Sequence, residues 1–96
     1  MALKIFHVVG TMTGWDSFSD FVCIAPDAEA ARRIHPSDWR TSRWSDERER
    51  WVDEDGSDTY QDGSWDPHIK TIEATEIGMA NEDSKVGVVC SSFHAG

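Results

Sequence analysis

The chain has 96 residues, a formal net charge of −9 at pH 7 and a hydrophobic fraction of 39%. A chain of this length forms one domain, because single cores typically run to ~100–150 residues. The negative charge opposes binding to nucleic acid or anionic lipid and favours basic partners. There is no signal-peptide pattern, and no apolar stretch approaches the ~18–20 residues of a membrane span. We therefore expect a single domain, 1–96, in the cytoplasm.

Two apolar runs near the start of the chain predict a β-hairpin. Residues 3–9 and 18–24 are rich in β-branched and aromatic side chains, which is typical of strands. A short connection that carries glycines joins them, and such connections favour antiparallel pairing. Two later runs of the same character, 68–77 and 85–93, predict a third and a fourth strand.

Residues 25–36 predict the main helix of the domain. Pro26 suits the first helical position, where its missing N–H would have no partner anyway. Asp27 favours the positive N-terminal end, and basic residues follow toward the C-terminal end. Pro36 disfavours helical geometry at the residue before it and ends the helix. The predicted order is β-β-α-insert-β-β, an α+β domain with a small four-stranded antiparallel sheet and one main helix.

The insert, at about 39–66, is the most unusual part of the sequence. It holds four of the five tryptophans and nine of the eighteen carboxylates. Residues 45–52 predict a short second helix capped by Ser45, and the remainder predicts an irregular loop. Long irregular segments in compact domains are usually functional or mobile. The insert is therefore the first place to look for function.

Acidic and aromatic side chains of the insert predict a surface that binds a partner. Its candidate residues are Trp44, Asp46, Glu47, Glu49, Trp51, Asp53, Glu54, Asp55, Asp58 and Asp62. Proteins that bind DNA line a channel with Lys and Arg, and an acidic surface can occupy that channel in place of phosphate. Tryptophans are common interface anchors. We expect Trp39 and Trp65 to join the core, and Trp44 and Trp51 to lie at the surface as partner or dimer contacts.

The aspartates of the insert do not have the spacing of a calcium-binding EF-hand loop. An EF-hand loop needs oxygen ligands at its third and fifth positions, glycine at its sixth and glutamate at its twelfth. A loop starting at Asp58 has Tyr60 at the third position and Ile69 at the twelfth. A loop starting at Asp53 has Ser64 at the twelfth. Neither matches, which leaves only weak binding of divalent cations outside this motif as an alternative.

Zinc and nucleophilic catalysis have less support in the sequence. The candidate zinc ligands are His7, Cys23, Cys90 and His94. Structural zinc sites use closely spaced ligand pairs, and no such pair occurs among them. The serines beside Cys90 lack the glycine-flanked turn of a serine nucleophile. We expect no metal, no cofactor, no catalytic residue, and two unpaired, buried thiols, at Cys23 and Cys90.

Short segments outside the middle of the insert form a pattern. They are Ala-Ala-Arg-Arg-Ile-His-Pro-Ser at 30–37, Ser-Trp at 64–65 followed by Pro67 and Ile-Lys at 69–70, Ile-Gly at 77–78, and Gly-Val-Val-Cys-Ser-Ser-Phe-His-Ala-Gly at 87–96. This pattern, over roughly half of the chain, resembles small accessory proteins of tailed bacteriophages and prophages. The resemblance implies an accessory protein acting in the bacterial cytoplasm, in a setting where small acidic proteins include anti-CRISPR inhibitors of host defence nucleases. It brings no catalytic residue.

The sequence thus predicts a non-enzymatic, phage-type inhibitor or decoy. Its expected partner is a host protein with a basic, nucleic-acid-binding surface, without direct binding to nucleic acid or membrane. A structural protein that forms a homodimer is the alternative, with a small metal-dependent enzyme as a third interpretation.

Overall fold

A computed structural model describes residues 3–11, 17–37, 43–53, 55–57 and 65–94, with only the backbone at positions 93 and 94. The elements in chain order are β1 (Lys4–Val9), β2 (Ser17–Ala25), α1 (Ala28–Arg32), β3 (Arg43–Ser45), β4 (Arg50–Val52), a 3₁₀ turn (Ile69–Thr71), β5 (Glu73–Met79) and β6 (Gly87–His94).

The main sheet has the strand order β5-β1-β2-β6 and is antiparallel throughout. The predicted four-stranded antiparallel sheet and the hairpin of β1 with β2 are confirmed, and the fold is α+β. The predicted third strand is wrong at its start. There the ring Nδ1 of His68 accepts the Lys70 N–H at 3.1 Å, and a 3₁₀ turn forms before β5 begins at Glu73.

One face of this sheet carries the core. Side chains alternate along a strand, so Phe6 and Val8 of β1 and Phe21 and Cys23 of β2 point to the same side, where all four are buried. Helix α1 packs over β1, β2 and β5 on this side, with Ala31 fully buried. Each large apolar side chain buried here contributes ~1.5–3 kcal/mol relative to its exposed state.

Helix α1 is shorter than predicted. It covers Ala28–Arg32 rather than 25–36, because the Asp27 carboxylate caps it by accepting the Ala30 N–H at 2.8 Å. A capping aspartate starts a helix more decisively than a proline, so Pro26 lies before the helix. The helix ends because the chain pairs with β3. The Trp44 N–H donates to the Arg33 carbonyl at 3.2 Å, next to a bridge between residues 34 and 43.

The predicted second helix is a β-hairpin. Strands β3 and β4 pair Trp44 with Trp51 directly, and residues 46–49 form the turn. Glu49 takes a left-handed backbone conformation at φ 52°, as one residue of such turns often does. The Ser45 hydroxyl accepts the Arg48 N–H at 3.2 Å, so the predicted cap stabilises this turn instead of a helix. The described part of the insert thus contains two short strands that the predicted order β-β-α-insert-β-β lacks.

Candidate acidic surface

The turn of the β3–β4 hairpin presents two carboxylates to solvent. Glu47 and Glu49 are both exposed, two residues apart in the turn. Among the described residues, neither makes a hydrogen bond or an ion pair. The sequence predicted both as partner-binding residues, and their exposure is consistent with that role.

Asp46, at the base of the same turn, is engaged within the protein. The Arg33 guanidinium donates from Nε to Asp46 Oδ2 at 3.1 Å and from Nη2 to Oδ1 at 2.9 Å. Its Nη1 donates to Glu29 Oε2 at 3.0 Å and to the Glu29 carbonyl at 2.7 Å. The guanidinium lowers the pKa of both carboxyls. Arg33 therefore fastens the hairpin to α1. Asp46 remains exposed, so it has this structural contact in addition to the partner-binding role predicted for it.

In the sequence, Glu29 and Arg33, and likewise Asp46 and Arg50, are four residues apart, which is the spacing of ion pairs along a helix. The pair of Glu29 with Arg33, four residues apart on α1, is confirmed. The pair of Asp46 with Arg50 is wrong, because these residues lie in a hairpin and Asp46 binds Arg33.

The hairpin tryptophans are buried, which corrects their predicted surface position. Trp44 is 6% exposed and Trp51 1% exposed, with ring centroids 5.5 Å apart in an edge-to-face arrangement. Trp51 also packs edge-to-face on His35 at 5.3 Å, and Trp44 on His68 at 4.9 Å. Alternation along β3 and β4 turns both indoles to the core side, so neither offers its ring to a partner. Trp65, 3% exposed, joins the core as predicted.

Asp66, which the sequence grouped with the acidic insert, is a fully buried structural carboxylate. The Thr11 backbone N–H donates to both of its oxygens at 3.0 Å, and the Thr11 hydroxyl donates to Oδ2 at 3.0 Å. The Thr71 hydroxyl donates to the same oxygen at 2.6 Å. Its backbone carbonyl accepts the Trp51 indole N–H at 2.9 Å. One residue thus ties the end of β1, the hairpin and the 3₁₀ turn together.

A closed turn lies beside the hairpin. The Asp53 N–H donates to the Ser57 carbonyl at 2.7 Å, and the Gly56 N–H donates to the Asp53 carbonyl at 2.9 Å. Asp55 Oδ1 accepts the Ser57 N–H at 2.9 Å and its hydroxyl at 2.6 Å, which lowers the Asp55 pKa. The Arg48 guanidinium donates to the Gly56 carbonyl at 2.8 Å and holds this turn against the hairpin. Asp55 is exposed there.

We call Glu47, Glu49 and Asp55 the hairpin patch. These three predicted site residues are exposed carboxylates on two adjoining turns. Asp53 is half-buried at the base of the second turn. Three other predicted site residues, Glu54, Asp58 and Asp62, lie outside the described residues, as does Trp39.

The thiols occupy different environments. Both cysteines are free, as predicted. Cys23 is buried on the core face, and its burial raises the thiol pKa to about 11. Cys90 lies opposite Val22 and is exposed, so the predicted burial is wrong for this residue. Within the described ranges, no group of three or more His, Cys, Asp and Glu side chains is placed to hold a metal ion.

One polar pair escaped the sequence reasoning. His7 Nε2 lies 2.7 Å from Asp20 Oδ2, and the Ser19 hydroxyl donates to the other oxygen at 2.8 Å. The sequence makes His7 a candidate zinc ligand but favours an inward or edge histidine, without indicating a partner for its ring. Its pairing follows from the register of β1 with β2, which places Val9 opposite Asp20 and so puts His7 on the diagonal. Knowledge of that register is the signal that would have found the pair.

Comparison with family models, with curated proteins and with solved structures gives no match for this chain. The resemblance to bacteriophage accessory proteins therefore stays a prediction from the sequence. In the part of the chain that the structure describes, no helix has the length and apolar character needed to cross a membrane.

Proposed function

We propose that the protein is a non-enzymatic inhibitor or decoy that places its hairpin patch on a basic, nucleic-acid-binding surface of another protein. The observation that carries this proposal is the pair Glu47 and Glu49, two exposed carboxylates at a turn where no described residue engages them. Carboxylates so placed can take up the Lys and Arg side chains that otherwise bind phosphate.

The support beneath the patch favours binding. Trp44 and Trp51 fix the hairpin on its buried side, and Arg33 holds its base to α1 through Asp46. A surface held in its binding conformation loses less conformational entropy when a partner docks. The charge of the whole chain, −9, adds long-range attraction toward basic surfaces.

The resemblance to bacteriophage accessory proteins suggests the class of partner. We propose a host defence protein in the bacterial cytoplasm, such as a CRISPR effector nuclease. Such effectors hold nucleic acid in a positively charged channel. An acidic protein on that channel excludes the nucleic acid, so the proposed decoy needs no cofactor and no catalytic residue.

The test is a competition experiment. A guide-loaded CRISPR effector binds a labelled target duplex, and the protein is added at increasing concentration at low and at physiological salt. We expect displacement of the duplex that weakens as salt rises, because exposed charge pairs are screened within ~8–10 Å at physiological ionic strength.

A matched pair of variants assigns the effect to the hairpin patch. Glu47→Gln with Glu49→Gln removes two charges from the hairpin, and Glu82→Gln with Asp83→Asn removes two from the exposed turn after β5. The hairpin variant should lose affinity roughly tenfold and the control much less, since complementary charges act locally. No displacement by the wild type, or an equal loss in both variants, would exclude the hairpin patch as the site for this target.

A further inference from the structure

The face of the main sheet opposite the core has an aliphatic centre, and among the described residues the helix packs only on the other side of the sheet. Phe6 and Val8 point to the core, so Ile5, His7 and Val9 point the other way. The same alternation places further side chains on this side. We call this surface the open face, and its residues are Ile5, His7, Val9, Asp20, Val22, Ile24, Glu73, Thr75, Cys90 and Ser92.

The register arranges these side chains in rows across the sheet. Ile5 lies between Ile24 and Gly78, and Val22 lies between His7 and Cys90. Gly78 has no side chain to cover the flank of Ile5, where an added Cβ would be in van der Waals contact with Ile5 Cδ1 at 3.8 Å. The centre of the open face is therefore aliphatic.

The open face is separate from the described core. Among the described residues, Ile5, Val22 and Ile24 are partly buried but do not pack against the core cluster. Val9 is 40% exposed, and Val89 beside Cys90 is 58% exposed. Apolar surface gathered in this way on a small domain marks an interaction site more often than chance exposure does.

Charge distinguishes the open face from the hairpin patch. Its charged groups are Glu73 and Asp20, and the latter is 2.7 Å from His7. Ser19 also donates to Asp20. If a partner covers the His7–Asp20 pair, these polar atoms keep hydrogen-bond partners within the chain, which limits the cost of burying them. A basic partner finds little to bind here. The face suits a partner that is itself apolar and almost uncharged.

We propose that this partner is a second copy of the chain, packed sheet against sheet through the open face. Two copies present the same aliphatic centre to each other, and a domain with one packed face completes a second layer in this way. The area that such a dimer buries sets the affinity to expect. Four strands ~4.8 Å apart and about six residues long at ~3.3 Å each give ~400 Å² of footprint per copy.

This footprint is at the lower limit for a specific interface. The accessible area of the protruding side chains exceeds this flat footprint, so two such faces together bury on the order of 1,000 Å², which is the threshold for a biological contact. We therefore expect a reversible dimer with a dissociation constant in the micromolar range. The proposal goes beyond the decoy function, and the two have opposite salt dependence. Salt screens the repulsion between two chains of charge −9 and strengthens the dimer, whereas it weakens capture of a basic partner.

Sedimentation equilibrium of the full chain over ~1–500 μM, at low and high salt, tests the dimer. The main variant is Val22→Lys at the centre of the open face. The second is Val9→Lys, an exposed position at the end of β1 where a lysine does not disturb the core. The control is Met79→Lys, on β5 opposite Lys4 and so outside the open face, and 70% exposed.

We expect a monomer–dimer equilibrium in the wild type and in Met79→Lys, strengthened by salt. Both open-face variants should weaken it at least tenfold with unchanged circular dichroism spectra. A monomer at every concentration and salt overturns the proposal. So does a dimer that persists in both open-face variants, which would indicate pairing through the sheet edges. The double variant Glu47→Gln with Glu49→Gln should still dimerise, and Val9→Lys should still displace the duplex from the effector. The two experiments therefore distinguish failure of the dimer proposal from failure of the decoy proposal.

Discussion

Replacing Asp66 by alanine should cost the protein a large part of its stability. The carboxylate is fully buried and accepts hydrogen bonds from the Thr11 backbone N–H, the Thr11 hydroxyl and the Thr71 hydroxyl. Hydrogen bonds to a charged group contribute ~1.5–3 kcal/mol each. Thr11 and Thr71 are exposed, so after the substitution water can satisfy part of what they lose, and the lower end of that range applies.

Three donors at ~1.5 kcal/mol each give at most ~4.5 kcal/mol, and solvation of the freed hydroxyls lowers the expected loss for Asp66→Ala to ~3–4 kcal/mol. A domain of this size has ~5–14 kcal/mol in total, so the melting temperature should fall by roughly 12–32 °C. Asp66→Asn keeps the shape and one acceptor oxygen but loses the charge. It should cost ~1–2 kcal/mol.

Urea unfolding followed by tryptophan fluorescence measures these losses, because Trp65 and Trp51 are buried beside this site. Thr71→Val removes one donor and should cost ~1 kcal/mol alone, but little more when combined with Asp66→Ala. Asp83→Ala, in an exposed turn, is the control and should stay within ~0.5 kcal/mol of the wild type. A loss below ~1 kcal/mol for Asp66→Ala, or full additivity with Thr71→Val, would refute this account of Asp66.

Three further predictions follow from local geometry. Gly10→Ala places a Cβ 2.8 Å from a buried indole ring and should cost ~1–3 kcal/mol in the same urea experiment; an unchanged midpoint would contradict it. At pH 8, and at a protein concentration low enough to keep the proposed dimer dissociated, a thiol reagent should modify Cys90 quickly and reach Cys23, whose pKa is about 11, only after unfolding; rapid reaction of two thiols in the native protein would speak against this. Arg33 lowers the Asp46 pKa below its usual 3.8. The contact therefore stabilises the fold above that pH, and this stabilisation is lost as the pH falls through the pKa of the folded state. Carboxyl NMR should show the Asp46 titration midpoint rising toward 3.8 in Arg33→Met, and an unchanged midpoint would contradict the pairing.

The sheet was predictable because its strands are long enough to show their pattern. β1 and β2 carry runs of β-branched and aromatic side chains, and the hairpin that joins them needs only local information. Helix α1 was recognised but made too long. Pro26 and Asp27 are both residues that favour the start of a helix, and in the structure the helix starts after Asp27, which caps it.

The hairpin in the insert was missed for a physical reason. Strands of three residues are too short to show a period of two, while the charges around Arg48 imitate helical spacing. The charges therefore predict exposed anchors at Trp44 and Trp51, whereas in the structure Arg43 and Arg50 are exposed and the tryptophan after each of them is buried.

The division of the carboxylates could not be read from the sequence either. Asp46 and Asp66 look like Glu47 and Glu49, and only tertiary contacts show that the first two bind groups of the same protein. The nearest local signal was the position of Asp66 between Trp65 and Pro67, away from the run of charges.

The strand order β5-β1-β2-β6 has a consequence for how the chain folds. The first hairpin is local in sequence and occupies the middle of the sheet, whereas β5 and β6 add to opposite edges. Their connection, residues 80–86, spans three strand spacings, ~14 Å, and seven residues reach at most ~25 Å. Because this connection is short, pairing of one edge strand with the central hairpin holds the other edge strand close to the opposite edge of the sheet. We therefore expect the two edges to form in one cooperative step after the central hairpin, with a rate set by long-range pairing.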